Sequence, residues 1–160
     1  MEFWLPSDGL DARAVDALCR QHLLSGRARP ALVERHLRGL LMGFADLVYE
    51  QGGRFGVLDY KSNALGARDA DYTVAAMEAA MLEHRYDVQA ALYLLALHRL
   101  LRTRLGRAYQ PAQQLHGAVY LFLRGVGTTS AGAYHLAAPL ALIDALDAML
   151  PQGTAEVNAA

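Results

Sequence analysis

The chain has 160 residues, of which 54% are hydrophobic and 19% are charged, a composition that predicts one folded domain and argues against a disordered chain. The net charge of −1 and the isoelectric point of about 6.6 exclude a domain that is basic over its whole surface, so any DNA contact must come from a local patch, a metal ion or a partner. Cys19 is the single cysteine, which excludes an intramolecular disulfide and a four-cysteine zinc or iron–sulfur site and points to the cytoplasm.

The N-terminal residues predict a strand followed by a helix. They lack the basic and apolar segments of a signal peptide, and no later apolar run reaches the roughly 18 residues that cross a membrane, so no membrane association is expected. Residues 3–5 are a short strand candidate that Pro6 ends. Ser7 or Asp8 is the expected N-cap of an amphipathic helix over residues 10–24.

A β-hairpin is predicted next. Two extended runs, residues 37–49 and 54–60, flank the pair Gly52-Gly53. A Gly-Gly pair between two apolar runs favours a two-residue turn, because type I′ turns need positive φ at both central residues. With this turn, Gln51 pairs with Arg54, and the register of the whole hairpin follows.

The second half of the chain continues with helices, one further strand and a closing helix. The expected order is a polar loop over 62–71, helical periodicity over 72–85 and 86–105 as one bent helix or two, a connection over 106–116, a buried strand over 117–123, a loop over 125–132 and a helix over 138–150. This order predicts a single α/β domain with a central mixed β-sheet and flanking helices. The sequence contains no P-loop, no HExxH motif and no Gly-x-Ser-x-Gly elbow.

The hairpin register brings two carboxylates and a lysine together. Asp46 is expected directly opposite Asp59, with Cβ atoms about 4.5–5.5 Å apart. Lys61 lies two residues beyond Asp59 and shares its face, whereas Tyr60 points to the other side but keeps its backbone beside the cluster. The prediction depends on the register, because a slip of one residue would turn Asp46 to the wrong face.

This cluster has two interpretations. Two carboxylates about 5 Å apart can hold Mg²⁺, the metal can activate water and neutralise a phosphate, and a lysine beside it can orient or deprotonate the water. The alternative is a cross-strand salt bridge on a solvated face, worth about 0–1 kcal/mol. Asp46 and Asp59 both interrupt largely apolar runs, where an unpaired carboxylate is costly, and this favours a partner or a metal.

The lysine itself is unusual in this chain. Of 15 basic residues fourteen are arginines, and Lys61 is the single lysine. The count suggests a position where a compact, titratable ammonium is needed and a planar guanidinium does not serve. Chance in an arginine-biased sequence is the alternative.

Polar residues on the second long helix are candidates to support the site. Gln89 and Tyr93 are spaced i, i+4 and share a helix face with Arg85, while Tyr86 lies close by. A glutamine and a tyrosine on an otherwise apolar helix can hydrogen-bond the water of a metal site or a phosphate. The alternative is a pair at the edge of the core that backbone groups satisfy.

Four segments, in this order, carry a family resemblance. GFADLVYE, VLDYKSN, HRYDVQAALYLLALHR and YLFLRGV resemble the C-terminal nuclease domains of exonuclease V beta subunits, the RecB family within the PD-(D/E)xK nuclease superfamily. The resemblance implies a restriction-endonuclease-like core over residues 1–150, shortened at its N-terminus relative to the family, with a frayed tail over 151–160. It also implies Mg²⁺-dependent cleavage of DNA, with Mn²⁺ as a possible substitute and no iron–sulfur cluster.

The resemblance assigns roles to residues of this chain. It implies that Asp46 and Asp59 bind the metal, that the backbone carbonyl of Tyr60 is a third ligand and that Lys61 is the catalytic lysine. It places Gln89 and Tyr93 beside the site. Together with Arg85, Tyr86, Ser62 and Asn63, these two residues form the group expected to bind DNA or support the site. The partners it implies are single-stranded DNA and RecC-like and RecD-like subunits in a complex for double-strand-break repair and recombination.

Two departures from the family leave alternatives open. The family has a further histidine metal ligand on an upstream helix, which neither His22 nor His36 matches, and its helicase region has no counterpart here. A catalytically incomplete nuclease-like module that docks onto a subunit or DNA is therefore the alternative function. A third hypothesis, an AddB-like member of the superfamily, requires a cysteine-ligated iron–sulfur cluster that Cys19 alone cannot supply.

Overall fold

A computed structural model describes residues 1–6, 10–32, 40–151 and 157–158 of the chain. Its strands are β1 (Glu2–Pro6), β2 (Leu40–Phe44), β3 (Leu47–Gln51), β4 (Arg54–Lys61), β5 (Leu115–Phe122), β6 (Ala133–Ala137) and β7 (Val157–Asn158). Its helices are α1 (Ala12–His22), α2 (Val74–Glu83), α3 (Tyr86–Leu105), α4 (Pro111–Gln114) and α5 (Leu140–Met149), with single 3₁₀ turns at Asp69–Asp71, Gly106–Ala108 and Leu123–Gly125.

Two sheets organise these elements. The four-stranded sheet has the order β3-β4-β5-β6, in which β4 and β5 are parallel and the two outer pairs are antiparallel. The smaller sheet has the order β2-β1-β7 and is antiparallel. The predicted α/β class with a central mixed sheet and flanking helices is therefore confirmed.

The hairpin between β3 and β4 has the predicted register. Gln51 pairs with Arg54, and the ladder runs without a slip to the pair Leu47–Leu58. Gly52 and Gly53 both have positive φ, 60° and 79°, as a two-residue hairpin turn requires. The two glycines of the turn thus set which residues of β3 and β4 pair with each other.

The extended run predicted over residues 37–49 is wrong as a single strand. Residues 37–39 lie outside the described part, and the remainder divides at Ala45 into β2, which pairs with β1, and β3, which pairs with β4. The run divides because β2 pairs with the N-terminal strand β1. The backbone N–H of Ala45 donates to the carbonyl of Met1, and the ring of Phe3 packs against Gly43, where any side chain would clash. Asp46 lies at the crossing between the two sheets, outside both strands.

Several helix boundaries differ from the prediction by a few residues. α1 begins at Ala12 and is capped by the carboxylate of Asp11, which accepts a hydrogen bond from the N–H of Arg13; the predicted caps Ser7 and Asp8 lie outside the described residues. The region 72–105 forms two helices, because Arg85 adopts a left-handed conformation with φ of 56° between α2 and α3.

Two short strands were absent from the prediction. β6 follows a loop rich in Gly, Ser and Thr and adds an antiparallel edge to β5. β7 pairs Val157 and Asn158 with Phe3 and Glu2, so at these two residues a strand stands where a frayed tail was expected. Residues 152–156 and 159–160 of that tail lie outside the described part of the chain.

The helix α3 lies at the centre of the core. Its buried residues surround the helix, including Leu94, Leu95, Ala96 and Leu97, a distribution that is typical of a helix covered on all sides. α3 contacts α1, α2 and α5 as well as β1, β4 and β5. Its N-terminal turns are thereby held against the end of β4. In the parts of the chain that the structure covers, no helix is both long enough and apolar enough to span a membrane.

Candidate active site

The centre of the candidate site is an ion pair on β4. Asp59 and Lys61 lie two residues apart on the strand, share the face that packs against α3, and are 5% and 8% exposed. Nζ of Lys61 lies 2.6 Å from Oδ2 of Asp59. A carboxylate and an ammonium this poorly solvated each need the other, because burial of either charge alone is costly.

Asp46 reaches this site by a different route from the one predicted. The ladder of the hairpin ends at Leu47–Leu58, so Asp46 is not part of a cross-strand pair with Asp59. It lies instead in the bend between β2 and β3, exposed to solvent, and its Oδ2 accepts a hydrogen bond of 2.8 Å from the backbone N–H of Tyr60. The second carboxylate is therefore fixed to the residue that separates Asp59 from Lys61.

Two residues of α3 complete the polar cluster. Gln89 accepts a hydrogen bond of 2.9 Å from Nζ of Lys61 through Oε1 and donates one of 2.7 Å to the hydroxyl of Tyr93 through Nε2. The Tyr93 hydroxyl lies 3.3 Å from Oδ1 of Asp59 and donates to the carbonyl of Phe44. Burial, followed by the charge of Asp59, raises the pKa of Tyr93, so this hydroxyl remains a donor at neutral pH.

Aromatic rings line the other side of Lys61. Its Nζ lies 3.7 Å from the centroid of the Tyr86 ring and 5.2 Å from that of Tyr120. The Tyr86 hydroxyl donates to Oδ1 of Asn63, and Nδ2 of Asn63 lies 3.1 Å from Nε2 of His84. Tyr120 and His84 were missed in the sequence; Tyr120 is the parallel register partner of Asp59, which becomes visible only once β4 and β5 are known to pair.

The structure does not bring every predicted residue to the site. Arg85 turns towards α1, where its guanidinium contacts Asp16 at 2.6 Å and Asp87 at 3.0 Å, so it anchors the start of α3. Ser62 is exposed beside Lys61. His36 lies outside the described residues.

The oxygen atoms present fit a hard divalent cation. Among the described residues there is no group of three or more His, Cys, Asp or Glu side chains that could hold a metal ion. Mg²⁺ does not need one, since it keeps several waters and binds through one or two carboxylates together with substrate phosphates. Asp46 is open to solvent, and each oxygen of Asp59 keeps a lone pair beyond its contact with Lys61 or Tyr93. The Tyr60 carbonyl is the further donor that the family resemblance implies.

Comparison with known proteins identifies similar sequences over most of the chain. Residues 9–159 match the family model described as the PD-(D/E)XK nuclease superfamily. The chain is 50% identical over 127 residues to the RecBCD enzyme subunit RecB of Escherichia coli (strain K12). These residues are 79% of this chain and 11% of that protein. It is 42% identical over 131 residues to the protein of the same name from Mycobacterium tuberculosis (strain ATCC 25618 / H37Rv), covering 76% of this chain and 12% of that protein. The chain thus spans about a tenth of the length of these relatives.

Proposed function

The chain belongs to the PD-(D/E)XK nuclease superfamily, and from that premise we propose that it is a metal-dependent deoxyribonuclease domain of a RecB-type protein, with Asp46, Asp59 and Lys61 as its catalytic site. The observation that carries the assignment of residues is the buried contact of Asp59 with Lys61, next to the exposed carboxylate of Asp46.

Asp46, Asp59 and the backbone carbonyl of Tyr60 would hold Mg²⁺, for which Mn²⁺ is the usual substitute. When bound, the ion supplies positive charge to the phosphate and makes a bound water more acidic. Lys61 orients the attacking water or donates to a phosphate oxygen, because its ammonium is compact and carries three N–H groups. Gln89 accepts a hydrogen bond from the ammonium of Lys61, and the hydroxyl of Tyr93 lies 3.3 Å from Oδ1 of Asp59.

The substrate that we propose is single-stranded DNA. A net charge of −1 gives the chain little electrostatic affinity of its own for a polyanion, so we expect it to cut a strand slowly by itself and faster when another part of the assembly delivers the strand. In keeping with the RecBCD name of the relatives, the proposed partners are RecC-like and RecD-like subunits, and the proposed role is repair and recombination of broken DNA in the cytoplasm.

Cleavage of end-labelled single-stranded DNA with Mg²⁺ tests the proposal. We expect wild-type chain to cut the strand and Asp59→Ala to lose at least about a hundredfold in rate while keeping its circular dichroism spectrum. Asp144→Asn, which neutralises an exposed carboxylate on α5, serves as the control and keeps full activity. Cleavage by folded Asp59→Ala at the wild-type rate would refute the assignment, and failure of wild-type chain to bind Mn²⁺ would favour a docking module instead.

A further inference from the structure

The ammonium of Lys61 has three kinds of neighbour, and the mechanism proposed above uses only two of them. Asp59 and Gln89 contact Nζ at 2.6 and 2.9 Å. The third neighbour is the face of the Tyr86 ring, whose centroid lies 3.7 Å from Nζ. This is well within the roughly 6 Å over which a ring face attracts a cation, and the attraction grows when water is excluded, as it is around a side chain that is 10% exposed.

The Tyr86 ring is itself fixed on several sides. It stacks on His84 with centroids 5.2 Å apart and planes 22° apart, and on Tyr120 with centroids 5.9 Å apart and planes 15° apart. The Tyr86 hydroxyl donates to Asn63, and the Tyr120 hydroxyl donates to the backbone carbonyl of Tyr86 at 3.1 Å. A half-buried tyrosine that only filled space would not need this many directed contacts.

We propose that Tyr86 is a positioning residue for Lys61, an inference that rests on the proposed function. Its ring face holds the ammonium at the carboxylate of Asp59, and His84 and Tyr120 hold the ring in place. A ring face attracts the ammonium without acting as a carboxylate or amide acceptor. Asp59 and Gln89 engage two of the three N–H groups, which leaves the third for water or a phosphate oxygen.

The hydroxyl group of Tyr86 and its ring have separable roles in this proposal. The ring face does the positioning, whereas the hydroxyl contacts Asn63 away from the ammonium. Tyr86→Phe therefore keeps the positioning, and Tyr86→Leu removes it while leaving an apolar side chain on α3. Tyr109 offers a matched control at the opposite end of α3, since its ring packs on His98 and its hydroxyl lies 3.1 Å from Nδ1 of His98.

The first test is independent of activity and of metal. Because Lys61 is the single lysine, ¹³C-labelled lysine gives one ε-methylene signal from the folded chain. We expect its protons to be shifted upfield by the ring current relative to the chain in urea. The shift should persist in Tyr86→Phe and Tyr109→Leu and fall to less than half in Tyr86→Leu, where the more distant Tyr120 ring, 5.2 Å from Nζ, supplies the remainder. If Tyr86→Leu does not fold, Tyr86→Met fills more of the space and carries the same expectation. An upfield shift of undiminished size in both aliphatic variants would overturn the proposal.

The second test measures cleavage of single-stranded DNA by the same variants. Tyr86→Leu should lower kcat about tenfold or more with KM changed less than about threefold, and Tyr86→Phe should restore kcat. Equal kcat in wild-type chain and Tyr86→Leu would overturn the proposal. If wild-type chain does not cleave DNA, the proposed function fails, but an upfield shift that falls in Tyr86→Leu and is kept in Tyr86→Phe would still place the face of the Tyr86 ring against Lys61.

Discussion

The carboxylate of Asp46 accepts a hydrogen bond of 2.8 Å from the backbone N–H of Tyr60. This bond joins the bend between the two sheets to the strand that carries Asp59 and Lys61. It brings the exposed carboxylate to the buried one without a cross-strand pair, and it uses the backbone of the residue whose carbonyl is the proposed third ligand. Asp46 therefore has a structural role and a proposed chemical role, and substitution can separate the two.

Asp46→Asn should separate these roles. An asparagine keeps an oxygen that can accept from Tyr60 but loses the charge, so we expect a folded chain whose affinity for Mn²⁺ is at least about tenfold weaker. Glu50→Gln is a matched control, because Glu50 also accepts a backbone hydrogen bond, from Gly53, at the other end of the same hairpin. Titration with Mn²⁺ followed by calorimetry measures both variants. Unchanged affinity in Asp46→Asn would remove this residue from the metal site.

Much of the site was predictable because short-range rules place its residues. Two glycines in the turn determine the register of β4, and alternation along that strand puts Asp59 and Lys61 on one face. The i, i+4 spacing on a helix puts Gln89 and Tyr93 together, and the structure has them in direct contact. None of these relationships needs knowledge of a distant part of the chain.

What the sequence did not predict depends on long-range pairing. The break at Ala45 follows from the pairing of β2 with β1, which joins residues more than forty positions apart in the sequence. Because of this break, Asp46 lies outside the predicted ladder. Arg85 shares a helix face with Gln89 by spacing, but its left-handed backbone and its contact with Asp16 direct it elsewhere. Tyr120 becomes a neighbour of Lys61 only through the parallel pairing of β4 with β5.

A buried ion pair should contribute strongly to stability. Arg29 and Asp87 are 2.7 Å apart with both side chains fully buried, and Arg29 also donates to the carbonyls of Leu23 and Leu24. Arg29→Met leaves the two carbonyls without this donor and leaves Arg85 as the remaining cation beside the buried Asp87, and we expect the free energy of unfolding to fall by about 3 kcal/mol.

The neighbouring arginine provides the control for that measurement. Arg27 pairs with Glu78 at 2.7 Å, but its side chain is 57% exposed. Arg27→Met should therefore lower the free energy of unfolding by less than about 1 kcal/mol. Urea unfolding of both variants measures the difference, and equal losses would show that burial of the pair does not set its contribution.

His98 should make stability depend on pH. Burial lowers the pKa of His98 below its ordinary value of 6.5, and this outweighs the charge of Asp147, which favours the protonated form. The unfolded chain therefore takes up this proton more readily than the folded chain. The contribution of neutral His98 is fully present above pH 6.5 and declines as the pH falls below 6.5 towards the lowered pKa of the folded state.

His98→Asn should remove this dependence. An asparagine can keep a contact with the hydroxyl of Tyr109 but does not titrate. In urea unfolding at pH 8, 6.5 and 5, the free energy of unfolding of wild-type chain should fall more on acidification than that of the variant. If the free energies of unfolding of the two proteins differ by the same amount at all three pH values, the prediction is wrong.

Substitution of Lys61 tests whether this cluster is the catalytic site. End-labelled single-stranded DNA is incubated with Mg²⁺ and wild-type chain, Lys61→Ala or Lys61→Arg, with folding checked by circular dichroism. We predict that wild-type chain cleaves the strand and that both variants are slower by about a hundredfold or more. Arginine does not replace the lysine, because a guanidinium is too large and too rigid to take the place of the ammonium between Asp59, Gln89 and the Tyr86 ring. Cleavage by folded Lys61→Ala at the wild-type rate would contradict the assignment of this cluster as the catalytic site.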